Sequence, residues 1–256
     1  MRVLVTGANG FVGSAILVRL VFDRTCQLRG AMRHPSQEKT EGVEVVLVGD
    51  LASDTGWGDA VREVDTIVHA AARVHVMKDS ASDPLTEFRR INVVGTLNLA
   101  RQAVSAGVRR FIFISSIKVN GEFTLPDQPF TADSLPAPVD PYGISKYEAE
   151  IGLQGIAQET GMEVVIIRPV LIYGSGVKGN FLSMMSWLRM GVPLPLGSIH
   201  NQRSFLALDN LVDLVVTCLD NRAAANQTFL AADGQDLSTT SLLKLLGDAL
   251  GSRSCL

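Results

Sequence analysis

Arg2-Val3-Leu4-Val5-Thr6-Gly7-Ala8-Asn9-Gly10-Phe11-Val12-Gly13 carries the chain from a short apolar run into three glycines spaced GxxGxxG, and from there into Phe11 to Phe22, which is apolar at helical spacing. A buried strand that turns directly into a helix asks for these residue types. Gly7 permits the tight turn, Gly10 lets the backbone come close to a ligand, and Gly13 lets the helix close on the strand. The helix start presents unpaired N–H groups and the positive end of its dipole, which together favour a phosphate. At the first crossover of a βαβ pattern, the turn reads as a cradle for the pyrophosphate of a dinucleotide, with Asn9, Phe11 and Val12 as further candidate contacts.

Working outward, strand-like runs recur at Gln27 to Met32, Val43 to Val48, Thr66 to His69, Arg110 to Ser115 and Val164 to Ile167, with helix-like stretches between most of them. Continuous apolar runs, not strictly alternating, are what a parallel sheet covered on both faces requires. Two longer helices are expected over Phe88 to Ala106 and Tyr142 to Thr160, closed by Gly107 and Gly161 in the left-handed conformation. The fold predicted is α/β: a Rossmann-type doubly wound parallel sheet over residues 1–170, to which 207–227 return. The pattern changes after Arg168-Pro169, so 171–206 and 228–256 are expected to form a smaller, truncated C-terminal substrate lobe. Ser238 or Thr239 is placed to cap a last helix that runs to Leu250.

Composition narrows the partners. The 256 residues are 46% hydrophobic, enough for a large core, and 23 Lys and Arg against 26 Asp and Glu, without runs of one sign, argue against nucleic acid and anionic membrane surfaces. No apolar run reaches the ~18 residues of a membrane span, and the chain starts directly on strand and turn, so a soluble cytoplasmic protein is expected. Cys26, Cys218 and Cys255 are odd in number and widely spaced. His34, His69, His75 and His200 do not group with them at metal-ligand intervals, so neither disulfides nor a metal is expected.

The choice of dinucleotide turns on the end of the second strand. An NAD site usually has an Asp or Glu there for the ribose hydroxyls, but this chain reads Gly30-Ala31-Met32-Arg33. Arg33 suits a 2′-phosphate, which predicts NADP over NAD. Asp50-Leu51 follows the third strand, where a carboxylate would meet the adenine amine, and Ala70-Ala71-Ala72 follows the fourth, where small side chains leave room for the dinucleotide.

In Tyr142-Gly143-Ile144-Ser145-Lys146 a phenol and an ammonium stand one helical turn apart and share a face. A free phenol has a pKa of about 10, and a neighbouring ammonium is expected to lower it and make the hydroxyl a usable proton donor and acceptor. Lys146 is also expected to hold the nicotinamide ribose. Ser116, at the end of the Phe111 to Ser115 strand, is the candidate donor to the substrate oxygen.

With these motifs in order, the sequence resembles the extended short-chain dehydrogenase/reductase family, in its branch of NAD(P)-dependent nucleotide-sugar epimerases, dehydratases and 4-ketoreductases. The resemblance runs from Met1 to about Leu250. It rests on VTGANGFVG at 5–13, GDL at 49–51, HAAA at 69–72, Asn92 in RINVVGT, FISSIKVNG at 113–121, PYGISK at 141–146, RPVLIYG at 168–174 and NQRSF at 201–205. It implies Ser116, Tyr142 and Lys146 as the catalytic triad, Asn92 as the residue that orders the helix carrying them, and Asn92, Ile114, Pro169 and Val170 beside the cofactor. It also implies Lys118, Asn180 and Arg203 at the sugar-nucleotide site, and a homodimer formed through the two long helices. Arg203 sits in a stretch that reads as a polar loop. Asn120 departs from the family, since many epimerases have Val-Tyr-Gly where this chain has Val119-Asn120-Gly121. The resemblance is closest to proteins acting on UDP-4-keto-6-deoxy-N-acetylhexosamines in surface-polysaccharide synthesis. The function expected is NADPH-dependent reduction at C4 of such a sugar. The alternatives are 4-epimerisation of UDP-glucose or UDP-N-acetylglucosamine, and a cofactor-binding protein without turnover.

Overall fold

The computed structural model describes residues 1–24, 26–35, 40–74, 83–125, 127–177, 179–192 and 194–251, with the side chain of Asn180 also outside the description, as are His75 and Cys255. The chain divides into two compact units. One comprises Met1–Pro169 and Val212–Leu230; the other comprises Val170–Leu211 and the residues from Ala231 onward. The return to the first unit thus begins at Val212 and not at 207, and lasts to Leu230 and not 227.

The first unit is built on a seven-stranded sheet. Its strands are β1 (Arg2–Thr6), β2 (Gln27–Met32), β3 (Val43–Leu47), β4 (Thr66–His69), β5 (Arg110–Ile114), β6 (Glu163–Pro169) and β9 (Thr228–Ala231), in the order β3-β2-β1-β4-β5-β6-β9. Strands β1 to β6 pair in parallel. The apolar runs fall where the sheet is covered: every residue of β4 and β5 is buried, whereas edge strand β3 leaves Val45 and Leu47 exposed. Arg110 is tolerated in the buried β5 because Glu163 and the carbonyl of Cys218, 2.6 Å from Nη1, take up its charge and donors. The order reverses between β1 and β4, where Thr6 stands in register with both Ala31 and His69. Loops at the carboxyl ends of these strands therefore open a crevice at the switch point.

Helix α1 (Phe11–Asp23) follows the glycine turn, and α2 (Gly58–Val61) is a single turn. The expected helix over Phe88 to Ala106 is three pieces: α3 (Pro84–Phe88), capped by Asp83; a π-helical stretch Arg89–Gly95; and α4 (Thr96–Ser105). Such a widened turn commonly marks a functional site. Here it turns Asn92 inward and brings Gly95 against the loop after β3, where a Cβ would lie 2.9 Å from the Leu51 backbone. Helix α5 (Pro141–Thr160) begins at Asp140, whose Oδ1 accepts the Gly143 N–H at 2.6 Å, and ends at Gly161 with φ 76°.

In the second unit, β7 (Leu171–Tyr173) pairs in parallel with β8 (Arg203–Ala207), and β10 (Asp236–Leu237) joins β8 antiparallel. Arg203 therefore begins a strand and does not sit in a polar loop, because β8 finds a partner on each side. Helices α6 (Asn180–Arg189) and α8 (Thr239–Ala249) pack through Leu188, Leu194 and Leu243, with Ser238 capping α8. Helix α7 (Leu208–Cys218) spans the division between the units.

Candidate active site

The glycine turn is built as the sequence requires. Gly7 has φ +66°, and a Cβ there would lie 2.9 Å from the Ala71 nitrogen; a Cβ on Gly13 would lie 2.2 Å from the Gly7 carbonyl oxygen. Gly10 caps α1 without any side-chain hydrogen bond, so the first-turn N–H groups are left to a ligand. Beside the turn lies a cavity of about 390 Å³ lined by Gly7, Asn9, Gly10, Arg33, Asp50, Leu51 and Ala70 to Ala72 among the expected residues. Thr6, Met32, Trp57, Arg73 and Ile91 also line it. A cradle that a single Cβ would obstruct, open to unpaired helix N–H groups, fits a dinucleotide pyrophosphate. Phe11, Val12 and Gly13 do not line the cavity; Gly13 is packed against Gly7.

Asn92 joins two segments of the protein, as the helix-ordering role requires. It is buried, its Oδ1 accepts from the Arg73 N–H at 2.8 Å, and its Nδ2 donates to the Arg73 carbonyl and to Ser145 Oγ, each at 3.0 Å. Its amide is used up in joining the segment after β4 to α5, which orders the helix that carries Tyr142 and Lys146. Arg33 and Asp50 both sit at the cavity, but they face each other: Arg33 Nη1 stands 3.3 Å from Asp50 Oδ1, with both side chains largely exposed.

His69 ends β4 fully buried. Its Nδ1 is hydrogen-bonded to the Thr6 hydroxyl at 2.7 Å and its Nε2 to the Thr96 hydroxyl at 2.9 Å, and Thr6 Oγ1 also accepts the Ala71 N–H at 3.2 Å. Burial, and then the charge of Lys146, push its pKa down to about 3, so the imidazole is neutral. It stacks on Phe113.

The three candidate catalytic residues meet at the ends of β5 and α5. Ser116 Oγ accepts the Lys118 N–H at 3.2 Å and stands close enough to the Tyr142 phenol to lower its pKa. Lys146 Nζ donates to the Ile114 carbonyl at 2.7 Å and lies 4.3 Å from the centre of the Phe113 ring. The expected lowering of the phenol by Lys146 is not what this arrangement produces. Burial first, and then the Asp140 carboxylate, push Tyr142 up to about 12 against the opposing effect of Ser116. Burial brings Lys146 down to about 7, with Glu150 resisting. The ammonium is aimed at a carbonyl and a ring face, and it is itself near half-charged at neutral pH. As it stands the corner holds a protonated phenol, ready to donate, beside a lysine whose charge is easily changed.

Of the remaining expected residues, Pro169 ends β6 buried in the first unit, and Val170 opens the second, its N–H donating to the Ala231 carbonyl at 3.1 Å. Lys118 is paired with Asp140 and with Glu122 at 3.1 Å. Arg203 is exposed at the start of β8, and the Asn180 side chain lies outside the described residues. Sequence reasoning missed Glu150, buried one turn beyond Lys146; an acid four residues after a lysine reads as a solvated pair, and only packing shows otherwise. Among the described residues no cluster of side chains suits a metal ion and no helix is long and apolar enough to cross a membrane.

The model of the NAD dependent epimerase/dehydratase family matches residues 3–232. A UDP-glucose 4-epimerase of Vibrio cholerae is 48% identical over 249 residues, covering 97% of this chain and 75% of its own. An N-acetyl-alpha-D-glucosaminyl-diphospho-ditrans,octacis-undecaprenol 4-epimerase of Escherichia coli O157:H7 is 28% identical over 98% of this chain and 73% of its own. Among solved structures, MoeE5 in complex with UDP-glucose and NAD superposes with a TM-score of 0.85 at 26% identity, covering 100% of this chain and 84% of that one.

Proposed function

The chain belongs to the NAD dependent epimerase/dehydratase family and is an enzyme of the extended short-chain dehydrogenase/reductase type, and from that premise we propose that it interconverts the C4 epimers of a UDP-sugar with NAD as its resident cofactor. The reading of a binding protein without turnover is set aside. The observation that carries the proposal is the 48% identity, over nearly the whole chain, with a UDP-glucose 4-epimerase, taken together with the Ser116–Tyr142–Lys146 corner. The order of preference between the two C4 chemistries is thus reversed from the sequence reading.

Bound at the glycine cradle, NAD supplies the hydride acceptor and donor for C4. The protein's own groups do the rest. Gly7, Gly10 and the first N–H groups of α1 hold the pyrophosphate, and Ala70 to Ala72 keep the cavity clear. Tyr142, once its own proton has passed to solvent, takes the proton from the 4-hydroxyl oxygen as a phenolate and later returns it, while Ser116 donates a hydrogen bond to that oxygen. Losing its proton is costly for this desolvated, half-buried phenol, so Lys146 must be charged at that moment; its positive charge compensates the phenolate. On this reading Arg203 and Asn180 meet the sugar nucleotide.

A second reading, reduction of a UDP-4-keto-6-deoxy-N-acetylhexosamine in surface-polysaccharide synthesis, is favoured by one observation: no carboxylate ends β2, and Arg33 stands at the cavity instead. NADP preferred over NAD belongs to this reading, because a reductant consumed in each turnover must leave the site. A 2′-phosphate would have to compete with Asp50 for the Arg33 guanidinium. Incubation of the protein with NAD and either UDP-glucose or UDP-N-acetylglucosamine, followed by NMR, is expected to give both C4 epimers without net change in nicotinamide absorbance. Stoichiometric loss of NADPH with the 4-keto sugar, and no epimerisation, would transfer the assignment to the reductase.

A homodimer is part of the same proposal. Val94 and Ile151, exposed on the π-helical stretch and on α5, are apolar residues offered to it, and a monomeric mass at micromolar concentration would count against it. So is a cytoplasmic location, which suits the unbridged, buried Cys218.

A further inference from the structure

Asn120, where many epimerases carry tyrosine, is 2% exposed, and both ends of its carboxamide are engaged. Its Oδ1 accepts from Arg168 Nη1 at 3.1 Å, and its Nδ2 donates to the Thr131 carbonyl at 3.2 Å. Arg168 gives its remaining inward donors to Glu150, Nε at 3.0 Å from Oε1 and Nη2 at 2.6 Å from Oε2. Glu150 in turn accepts from the Ser115 hydroxyl, and the Ser115 N–H donates to the Ile167 carbonyl at 2.7 Å. Glu150 and Arg168 are both buried, and such a pair holds a fixed geometry only while every donor and acceptor around it is satisfied.

We infer that Asn120 is a positioning residue for the proposed C4 chemistry: through Arg168, Glu150 and Ser115 it fixes the end of β5, and so the places of the Ser116 hydroxyl and of the Ile114 carbonyl that receives Lys146. The inference rests on that proposed chemistry for its kinetic reading only. Asn120 is buried and both of its polar atoms are turned to protein partners, so its bearing on the chemistry is through those partners. Its second bond, to Thr131, together with the bond from the Ala137 N–H to the Val119 carbonyl at 3.0 Å, also ties the loop after Asn120 to the same corner. Of its two ends, the acceptor toward Arg168 bears on the reacting groups, since without it one guanidinium N–H is buried without a partner.

The test compares Asn120→Ala with Asn120→Asp in the full chain loaded with NAD. The aspartate keeps the acceptor for Arg168 and loses the donor to Thr131; the alanine loses both. Expected for the alanine variant is a kcat lower by about tenfold or more, with the KM for the UDP-sugar and the Kd for NAD each within about twofold, because misplacement by a fraction of an ångström acts on the reacting groups and not on the glycine cradle. The aspartate variant is expected to recover kcat to within about threefold of the original. Equal losses in the two variants, or losses of kcat and NAD affinity in proportion, overturn the inference in favour of a general structural role. Asn120→Leu, which keeps the volume and loses both ends, is read the same way if the alanine variant does not fold. If the unmodified protein epimerises no UDP-sugar, the functional proposal fails by itself, and amide hydrogen exchange then decides the positioning role. Faster exchange over residues 115–120 in the alanine variant, restored by aspartate and absent over residues 7–14, supports it; unchanged exchange overturns it.

Discussion

The turn from Thr6 to Ser14 and the corner around Ser116, Tyr142 and Lys146, which the proposed function joins in one site, are made differently. In the turn, most of what matters lies within a few residues: Gly10 donates to the Gly7 carbonyl at 2.8 Å, and Gly13 is packed on that same carbonyl. In the corner, Lys146 finds its acceptor 32 positions away on β5, and Glu150 finds Arg168 on β6. The turn excludes side chains by shape and admits little variation. The corner holds titratable groups against desolvation, with Asp140 and Ser116 acting on Tyr142 and Glu150 acting on Lys146. A phenol pushed up to about 12 beside a lysine brought down to about 7 is the result of that second kind of construction.

If the two regions do separate tasks, their variants should fail separately. Tyr142→Phe removes the proton carrier while leaving the ring packed against Phe88, whose centre lies 6.1 Å away. Turnover should fall by about 10² to 10⁴-fold, with NAD affinity and thermal midpoint retained, as read by steady-state kinetics and calorimetry. A parallel loss of NAD affinity would show the regions to be coupled. Gly13→Ala should do the opposite. Its Cβ would meet backbone at 2.2 Å, which no rotamer relieves, so a loss of about 3 kcal/mol in urea unfolding is expected, along with weakened NAD binding. Protein that unfolds and binds like the original would break the account of the turn.

The charges of the corner can be tested by pH. Lys146 is charged below about 7 and discharges above it, so turnover should fall as pH rises through that value if its ammonium compensates the phenolate. Stability should move the other way. An unfolded lysine keeps its proton up to 10.5, so between about 7 and 10.5 the unfolded chain binds the extra proton and folding is favoured as pH rises. Lys146→Met should flatten this part of the stability curve, and a curve identical to the original would remove burial as the cause. The smallest effect is expected at the rim, where Arg33→Ala should weaken NADPH binding by several-fold and leave NAD within about twofold. Equal effects on both would mean that Arg33 contacts neither ribose substituent.

The sequence by itself determined the sheet and the glycine turn at its first crossover, and it singled out Ser116, Tyr142 and Lys146 as candidates, because these depend on short-range rules: continuous apolar runs, glycines where a Cβ does not fit, and two side chains one helical turn apart. The π-helical stretch that turns Asn92 inward, the strand that begins at Arg203, and the pairing of Arg33 with Asp50 were decided by tertiary structure. Each depends on a partner 17 or more positions away, such as Arg73 and Ser145 for Asn92. The protonation of the corner was decided there too. Helical spacing places Lys146 one turn from Tyr142, but only the packed fold shows that desolvation dominates both groups, raising the phenol and lowering the lysine, and that Asn120 reaches Arg168 and Glu150 close by. Burial sets the dielectric in which charges act, and burial belongs to the whole fold and not to any local stretch of the chain.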